Sequence, residues 1–426
     1  MAQQKCLTVA LLGCGGRGYA FGSYMNAHKD RFCLTALCDI NPAQIEKCQK
    51  AFQLENARYF TDEESFFEKK HADLIYISTF DKEHVRQCIR AMRLGYDVLL
   101  EKPISDSREE LAELLAAQKE TGRMVAVCHE LRYGLMYEKL YELLQSGIIG
   151  KLIAIDAFER VAYWHMAQAY ARLQSQVNDA AHPTILAKCS HDLDLLQHFA
   201  GARSETVSSV GGLSYFRKEN APQGATERCL DCPHIKSCTY SAEKIYVERW
   251  IAQNRPDFVW PFNKVSFVNP TTRDALYEGL RTGCLGKCVF DCGVEENAHV
   301  VDHQIVLIHF ENGVDASLKM VFGATAGRRI NLFGSDGELL LDERRGTIEV
   351  MPYGQKAETI SFASLMNGTQ AHGGGDSRLI ENVYALMTGS GGTNRTSLEE
   401  SVECHWMGIS AEESRLAGGK LVKVHG

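Results

Sequence analysis

The sequence has no long apolar run and no excess of basic residues. No stretch of about eighteen consecutive apolar residues occurs among its 426 positions, so we expect no membrane span. Lys and Arg total 46 against 54 Asp and Glu, and a net charge of −8 argues against a nucleic-acid partner. The first apolar run begins within a few residues of Met1, so we expect no secretory signal peptide.

Cysteine is abundant, but its pattern is not that of a disulfide-stapled secreted protein. The chain has 15 cysteines, an odd number, and many fall inside apparent strands and helices. This usage favours a cytoplasmic protein with reduced thiols. The length predicts two domains, with three as the alternative, and an ample core.

A glycine-rich turn near the N-terminus is the strongest local motif. A small apolar strand, 7–12, leads into Gly13, Gly15 and Gly18, and a helix is expected over 19–28. In a G-x-G-x-x-G turn the first glycine permits the tight turn, and the second lets the backbone approach a pyrophosphate. The third lets the helix pack on the strand, and the helix N-terminus offers N–H groups to phosphates. The pattern predicts a dinucleotide site.

An acidic residue follows the second apolar strand at the spacing this motif requires. Leu34 to Cys38 reads as a strand, and Asp39 stands twenty-one residues past Gly18. A carboxylate there can accept hydrogen bonds from ribose hydroxyls and repel a 2′-phosphate. NAD is therefore favoured over NADP. The alternative is a glycine turn with an unrelated surface aspartate.

The first 128 residues alternate short apolar runs with amphipathic helical stretches, which predicts a doubly wound parallel sheet. The expected strands are 7–12, 33–38, 73–78, 97–100 and 124–128, and the expected helices are 19–28, 42–52, 61–69, 81–94 and 105–121. Asn41-Pro42 should start the second helix, and Ser105-Asp106 should cap the fifth.

Two loops at the carboxyl ends of these strands carry polar residues, where ligands bind in such sheets. One loop runs from Ser78 to His84 and the other is Glu101-Lys102-Pro103. A cationic nicotinamide would depress the pKa of a nearby ammonium and suit Lys102 to proton transfer near neutral pH. Taken alone, Lys102 would more often be a solvated surface lysine.

The order of these motifs resembles the Gfo/Idh/MocA oxidoreductase family. The likeness continues through His129-Glu-Leu-Arg-Tyr133, Lys188 to Asp194, Val301 to Gln304, His372 to Asp376 and Arg395 to Ser401. It implies a Rossmann domain over 1–128 and a second α+β domain over 129–426, built on an open, mostly antiparallel sheet. It also implies NAD(P)-dependent redox chemistry on hydroxyl groups of sugars or inositols, Lys102 as the catalytic lysine, and a homodimer or homotetramer.

A helix expected over 183–200 supplies the second chemical element. Lys188, His191 and Asp192 share one face at i, i+3 and i+4. The resemblance implies that His191 assists Lys102, often with an aspartate four residues earlier, but that position here is Ala187. The alternative is a surface Lys–Asp pair beside a bystander histidine.

Strands of the second domain are expected over 151–161, 305–310, 314–322, 328–333 and 337–341. Asn312-Gly313 between two of them is a strong hairpin signal. An insertion over about 220–293 contains Cys229, Cys232 and Cys238, and later Cys284, Cys288 and Cys292. With Cys288 or His234 as the fourth ligand, the first three predict a structural zinc site. Free thiols, or disulfides formed after purification, are the alternative.

The leading hypothesis is an NAD-dependent oxidoreductase acting on a sugar or glycoside carbinol, with Lys102 and His191 in proton transfer. The second is an NAD-dependent glycosidase using oxidation, elimination, hydration and re-reduction, and the third is a non-enzymatic sensor. The candidate cofactor residues are Gly13, Gly15, Gly16, Arg17, Gly18, Asp39, Thr79, His84, Glu101 and Lys102. The candidate substrate residues are His129, Arg132, Tyr133, Arg172, Lys188, Asp192 and His303.

Overall fold

A computed structural model describes residues 6–173, 182–257, 259–266, 268, 270–291, 299–363 and 371–425. Cys292 lies outside these ranges. Two sheets organise the described chain, one of six strands and one of nine. No helix among the described residues has the length and apolar character needed to cross a membrane.

The first sheet is entirely parallel, in the order β3-β2-β1-β4-β5-β6, as the alternating pattern predicted. All four residues of β4 are buried because helices cover both faces. The strands are β1 Leu7–Leu12, β2 Phe32–Cys38, β3 Arg58–Phe60, β4 Leu74–Ile77, β5 Asp97–Leu100 and β6 Val125–Val127. Strand β3 was not predicted, since three partly exposed residues give no apolar run.

The helices of this sheet differ from expectation mainly at their ends. They are α1 Gly16–Ala27, α2 Pro42–Phe52, α3 Glu63–Phe66, α4 His84–Arg93 and α5 Arg108–Thr121. The predicted cap Ser105-Asp106 was wrong: Ser107 caps α5 and accepts from the Glu110 N–H. Ser105 instead accepts from the Ser107 N–H in the preceding turn. Asn41 caps α2 as predicted.

The second sheet has the order β14-β13-β12-β11-β7-β10-β9-β8-β15. Only the β7–β10 pair is parallel. The hairpin at Asn312-Gly313 is confirmed, with Gly313 at φ 83°. The strands are β7 Leu152–Ala162, β8 Ser204–Gly212, β9 His303–Phe310, β10 Asp315–Gly323, β11 Gly327–Gly334, β12 Gly337–Asp342, β13 Thr347–Pro352, β14 Glu358–Ser361 and β15 Val422–Lys423.

Seven helices accompany this sheet in the described part of the chain. They are α6 Leu135–Gln145, α7 Tyr163–His165, α8 Thr184–Ala200, α9 Arg249–Ala252, α10 Arg273–Thr282, α11 Gly375–Thr388 and α12 Leu398–Leu416. Helix α8 is buried along most of its length because it contacts both the sheet and α12. The Ser397 hydroxyl accepts from the Glu400 N–H and caps α12, as the Ser-x-x-Glu spacing predicts.

The C-terminal part of the chain returns to the first sheet. Apolar residues of α11, among them Leu379 and Val383, share a core with Val9 and Leu11 of β1. The Val127 N–H of β6 also donates to the carbonyl of Thr396. This return brings the segment before α11 next to the carboxyl ends of the parallel strands.

Candidate active site

The glycine turn has the close contacts that its motif requires. Gly13 has φ +93°, and a Cβ there would lie 2.5 Å from the Ser78 carbonyl oxygen. A Cβ on Gly18 would lie 1.9 Å from the Gly13 carbonyl oxygen, so strand and helix touch at this point. A Cβ on Gly15 or Gly16 would meet no atom within 4 Å. The protein itself does not demand glycine at those two positions, but a pyrophosphate lying against the backbone would.

Asp39 lies beside this turn at the end of β2. Its carboxylate accepts from the N–H of Cys14 at 2.7 Å and from the N–H of Asn41 at 2.8 Å. The acid is therefore fixed against the glycine loop, where the sequence predicted a ribose contact. The neighbouring Ile40 side chain is exposed, as is Phe80 in the loop after β4.

Lys102 follows β5 and faces the second domain. Its Nζ donates to the Ala187 carbonyl oxygen at 3.3 Å, one helical turn before His191 on α8. The Lys102-Pro103 peptide bond is cis. His84 Nδ1 donates to the Pro103 carbonyl at 2.8 Å and so fixes the loop from behind. Burial lowers the pKa of Lys102, while the nearby Glu101 and Glu130 oppose the shift.

His191 lies in a cluster with Glu130 and His372. Its Nε2 is 3.6 Å from Glu130 Oε2, and its ring centroid is 5.3 Å from that of His372. Among the residues described, neither ring nitrogen of His191 has a hydrogen-bond partner. Burial and then the charge of Lys102 hold its pKa well below the usual range. The imidazole is thus neutral at pH 7 and has a free lone pair.

Arg17 joins the glycine turn to this cluster. Its guanidinium donates to Glu101 Oε1 at 2.7 Å, to Asp376 Oδ2 at 2.9 Å and to Glu130. His372 Nδ1 in turn donates to Asp376 Oδ1 at 2.7 Å. One cation therefore connects the first turn of α1, the Glu-Lys-Pro loop and the start of α11.

Glu130 is the acid in this network whose pKa lies closest to neutrality. Burial raises the pKa of Glu130 to about 7, and the charge of Arg17 only partly offsets this. Glu101, which Arg17 and Tyr76 both contact, instead has a lowered pKa despite its burial. Two buried carboxyl groups on one guanidinium thus have different proton affinities, a pattern typical of sites that transfer protons.

Lys188 and Asp192 belong to a buried ion-pair network between α8 and the nine-stranded sheet. Lys188 Nζ is 2.6 Å from Glu159 Oε1, and Arg328 Nε donates to Asp192 Oδ1 at 2.8 Å. Arg328 Nε is also 3.1 Å from Glu159 Oε2. The surface-pair alternative is wrong for these residues, because Lys188 is half-buried and Asp192 is buried, each against a partner from the sheet.

Several other predicted residues lie around this centre in interior positions. Arg132 makes a bidentate pair with Asp194 at 2.7 and 2.8 Å. The buried His129 ring lies edge-on to His191, with centroids 5.8 Å apart. Tyr133 is buried on the first-domain side, where its hydroxyl accepts from Asn382.

The remaining predicted residues lie apart from the Lys102–His191 pair or have other protein partners. Thr79 donates to Gln87 at 2.5 Å, beside the glycine turn. His303 is half-buried and pairs with Asp302 at 2.8 Å. Arg172 is fully buried against the insertion, where it donates to the carbonyls of Lys287 and Tyr240.

Sequence reasoning did not single out Glu130, His165, Arg328 or His372. Glu130 and His372 both fall inside motifs that carried the family resemblance, which was the available signal. Burial followed by the charges of Lys188 and Lys102 lowers the pKa of His165 to about 3, which places this ring near both lysines. Arg328 gave no signal, because it lies 136 residues from its partner Asp192.

Comparisons with known proteins agree with this architecture. The model of the Gfo/Idh/MocA oxidoreductase family, NAD-binding Rossmann fold, matches residues 7–129. The model of the family's C-terminal alpha/beta domain matches residues 141–415. The chain belongs to this family. The resemblance inferred from the motifs and the predicted two-part fold are both confirmed.

Three similar proteins illustrate the range of relatives. YteT of Bacillus subtilis (strain 168), named as a candidate oxidoreductase, is 22% identical over 390 residues, 87% of each chain. A glycosyl hydrolase family 109 protein of Shewanella amazonensis is 24% identical over 191 residues, 41% of this chain and 42% of that protein. The structure of scyllo-inositol dehydrogenase from Lactobacillus casei with NAD(H) and scyllo-inositol has a TM-score of 0.67 at 14% identity, covering 99% of this chain and 100% of that one.

The four cysteines predicted to bind zinc surround one cavity in the insertion. Cys229, Cys232, Cys238 and Cys288 all line it, together with His234. No three of these sulfurs lie within 4.8 Å of one another in the described structure. Tetrahedral zinc with Zn–S bonds of 2.3 Å needs sulfurs about 3.8 Å apart. The cavity confirms that these residues converge, but their spacing does not support zinc.

Proposed function

We propose that the chain is an NAD-dependent oxidoreductase acting on a carbinol of a sugar or glycoside. The observation that carries this proposal is the position of Lys102. Its amine follows a parallel strand on the side of the glycine turn and lies against the helix that bears His191. A base held between a dinucleotide turn and a second domain suits removal of a hydroxyl proton.

The residues of the glycine turn fit the dinucleotide that the family binds. The open space at Gly15 and Gly16 and the N-terminus of α1 would receive the pyrophosphate, and Asp39 would receive the ribose hydroxyls. NAD, when bound, supplies the hydride acceptor. The apolar Ile40 and Phe80 side chains flank this cleft and suit a flat base.

Lys102 and His191 divide the proton chemistry. The lowered pKa of Lys102 increases its neutral fraction, and a neighbouring cationic ring would increase that fraction further. The neutral amine takes the proton of the substrate hydroxyl. His191, with a free lone pair, accepts a hydrogen bond from the same hydroxyl and orients it for proton removal.

A polyhydroxylated substrate agrees with the polar groups around this centre. Lys188, His165 and Glu130 offer donors and acceptors close to Lys102. The name of the Lactobacillus casei structure records scyllo-inositol, a ring bearing only hydroxyl groups, as a ligand of the same fold. The class of substrate we propose is therefore a sugar, a cyclitol or a glycoside.

The test is NAD reduction with a panel of sugars, cyclitols and glycosides, using wild type and Lys102→Ala. We expect at least one compound to give turnover, and the variant to lose about 10²- to 10⁴-fold in kcat while still binding NAD. The control is Lys119→Ala, which removes an exposed lysine of α5. Unchanged turnover in Lys102→Ala would remove the catalytic assignment. Ligand binding without turnover by wild type would favour the sensor.

A glycosidase that uses NAD transiently is the second candidate, and Glu130 is the observation that favours it. Elimination of an aglycone and addition of water need an acid and a base beyond the one that serves the redox step. Glu130, with a pKa raised to about 7 and 3.6 Å from His191, is such a group. The glycosyl hydrolase family 109 protein among the relatives is a second support.

The two functions differ in the fate of NAD. A glycosidase would release aglycone from a chromogenic glycoside without net NADH and would incorporate deuterium from the solvent into the sugar. An oxidoreductase would accumulate NADH in proportion to oxidised sugar and leave the glycosidic bond intact. Measuring both products on the same glycoside separates them.

A further inference from the structure

We propose that Cys229, Cys232, Cys238 and Cys288 bind a [4Fe–4S] cluster. The proposal goes beyond the redox or glycosidic function argued above and does not depend on it. It rests on the convergence of four thiols on one cavity and on the spacing between them.

The four cysteines come from two separate parts of the insertion. Cys229 and Cys232 flank one turn, and Cys238 follows after a further turn in which its N–H donates to the His234 carbonyl. Cys288 arrives from a distant segment, where its own N–H donates to the Glu227 carbonyl at 2.7 Å. The C-x-x-C-x₅-C segment and the remote fourth cysteine thus close around the same space.

The separation of the thiols favours a cluster over a single ion. A zinc ion would hold all six sulfur pairs about 3.8 Å apart. Here no three of these four described sulfurs lie within 4.8 Å of one another, and none of the four forms a disulfide. A cubane places one iron between each cysteine and the cluster centre, so it holds its cysteines farther apart than one ion does.

The surroundings suit a buried anionic cluster. The rest of the cavity wall is mostly apolar and includes Ile235, Val289 and Phe290. The Arg172 guanidinium donates to Cys229 Sγ at 3.6 Å and places a positive charge beside the thiols. Hydrogen bonds to the sulfurs and a nearby cation both stabilise such clusters.

Two backbone N–H groups also face the thiols. The Tyr240 N–H faces Cys238, and the Phe290 N–H faces Cys288. These groups would donate to sulfur in the bound state and hold each ligand in its orientation. The cavity therefore has four thiol ligands, a positive charge beside them and N–H groups that can donate to their sulfurs.

The cluster would fix the irregular insertion to the active-site side of the second domain. Arg172 lies in the helical turn Met166–Leu173, which directly follows Trp164 and His165. The residues that contact the thiols therefore continue into the segment that places His165 near the two lysines. We assign the cluster a structural role, with no electron transfer required of it.

The test is metal analysis of the full-length chain purified without oxygen. We expect about four irons and four acid-labile sulfides per chain, with a visible absorption band that dithionite bleaches. If the purified chain lacks iron, reconstitution with ferrous iron and sulfide should restore the band. One zinc per chain without sulfide, two irons per chain, or no band after reconstitution would each overturn the proposal.

Matched cysteine variants locate the cluster. Cys232→Ser and Cys288→Ser should lose most of the iron and the visible band, because each removes one ligand. Cys284→Ser, in the same insertion but not on the cavity wall, should keep both. Equal iron content in all three variants would contradict the assignment, and the wild-type analysis stands even where a variant fails to fold.

Discussion

At the scale of single residues, some glycines of the nucleotide turn are needed for folding and others for cofactor binding. A Cβ on Gly18 would overlap the Gly13 carbonyl, whereas one on Gly15 would enter open space. Gly18→Ala should therefore destabilise the chain by about 2 kcal/mol or more through the displaced strand–helix contact. Gly15→Ala should keep wild-type stability but bind NAD at least tenfold more weakly.

Urea unfolding and NAD titration by fluorescence quenching measure these two effects. Gly16→Ala is a control for stability, since its Cβ meets no neighbour and alanine favours the helix. Equal NAD affinity in Gly15→Ala and wild type would show that the pyrophosphate does not lie against this backbone.

Glu130 makes the stability of the chain depend on pH in a definite direction. Its folded pKa of about 7 lies above the ordinary value of 4.5. Between these values the unfolded chain releases a proton that the folded chain keeps, so this residue lowers stability as pH rises from about 4.5 to 7. Glu130→Gln should therefore gain stability relative to wild type between pH 5 and pH 8, by on the order of 1–3 kcal/mol.

The measurement is the free energy of unfolding of both proteins at the two pH values. The difference between them isolates Glu130 from the other buried groups that titrate. Glu113→Gln on the exposed side of α5 should track wild type at both pH values. A difference that stays constant from pH 5 to pH 8 would contradict the raised pKa.

At the scale of elements, the features that could be predicted from the sequence are those that depend on residues adjacent in the chain. The glycine turn, the Asn41 and Ser397 caps and the Asn312-Gly313 hairpin are all local signals, and the structure contains each of them. The start of α5 was predicted at the wrong residue because Ser105 and Ser107 are both good capping residues. Only the backbone geometry shows that Ser107 is the cap.

Contacts between distant elements were not predictable in the same way. Helical spacing predicted that the lysine and aspartate of α8 share a polar face, but their partners Glu159 and Arg328 come from β7 and β11. Arg172 was predicted as a substrate residue, yet its buried partners belong to an insertion whose path no periodicity describes. Helical spacing fixes which side chains share a face but not what that face meets.

The Arg132–Asp194 pair is a contact between elements that should contribute strongly to the stability of the chain. Both side chains are buried, and the pair joins the segment before α6 to helix α8. Asp194→Asn removes the negative charge that neutralises the buried Arg132 guanidinium. We expect a loss of about 3 kcal/mol in the free energy of unfolding. Glu400→Gln removes the half-exposed partner of the same arginine and should cost less than about 1 kcal/mol.

Chemical denaturation at neutral pH compares these two variants. Both variants remove an acidic partner of the same residue, Arg132. The difference between their losses of stability therefore reports how deeply each acidic partner is buried. A loss in Asp194→Asn no larger than that in Glu400→Gln would mean that Arg132 is adequately neutralised without Asp194.

At the scale of the whole molecule, the active site depends on parts of the chain that are far apart in sequence. Arg17 contacts Asp376 across 359 positions, and α11 shares a core with β1. The domain boundary at residue 128 remains a prediction. Such a boundary would not make the two domains independent near the active site, because residues on both sides of it contact each other there. The C-terminal segment packs on the first sheet, so the residues that flank the nucleotide turn come from both ends of the chain.

The outer face of the nine-stranded sheet bears on the homo-oligomer that the family resemblance implies. Leu307 of β9 and Leu421 are both exposed there and line one shallow groove. Exposed apolar side chains on an open sheet favour association with a second copy. We therefore expect a homodimer or homotetramer, and Leu307→Glu should shift it toward monomer.

Light scattering coupled to size-exclusion chromatography measures the mass of both proteins. Burying an unpaired carboxylate at an interface costs several kcal/mol, so the variant's dissociation constant should rise by at least a hundredfold. Ile251→Glu, at an exposed apolar position of α9 in the insertion, is the control and should keep the wild-type mass. A wild-type monomer, or an unchanged mass in Leu307→Glu, would show that this face does not join two copies.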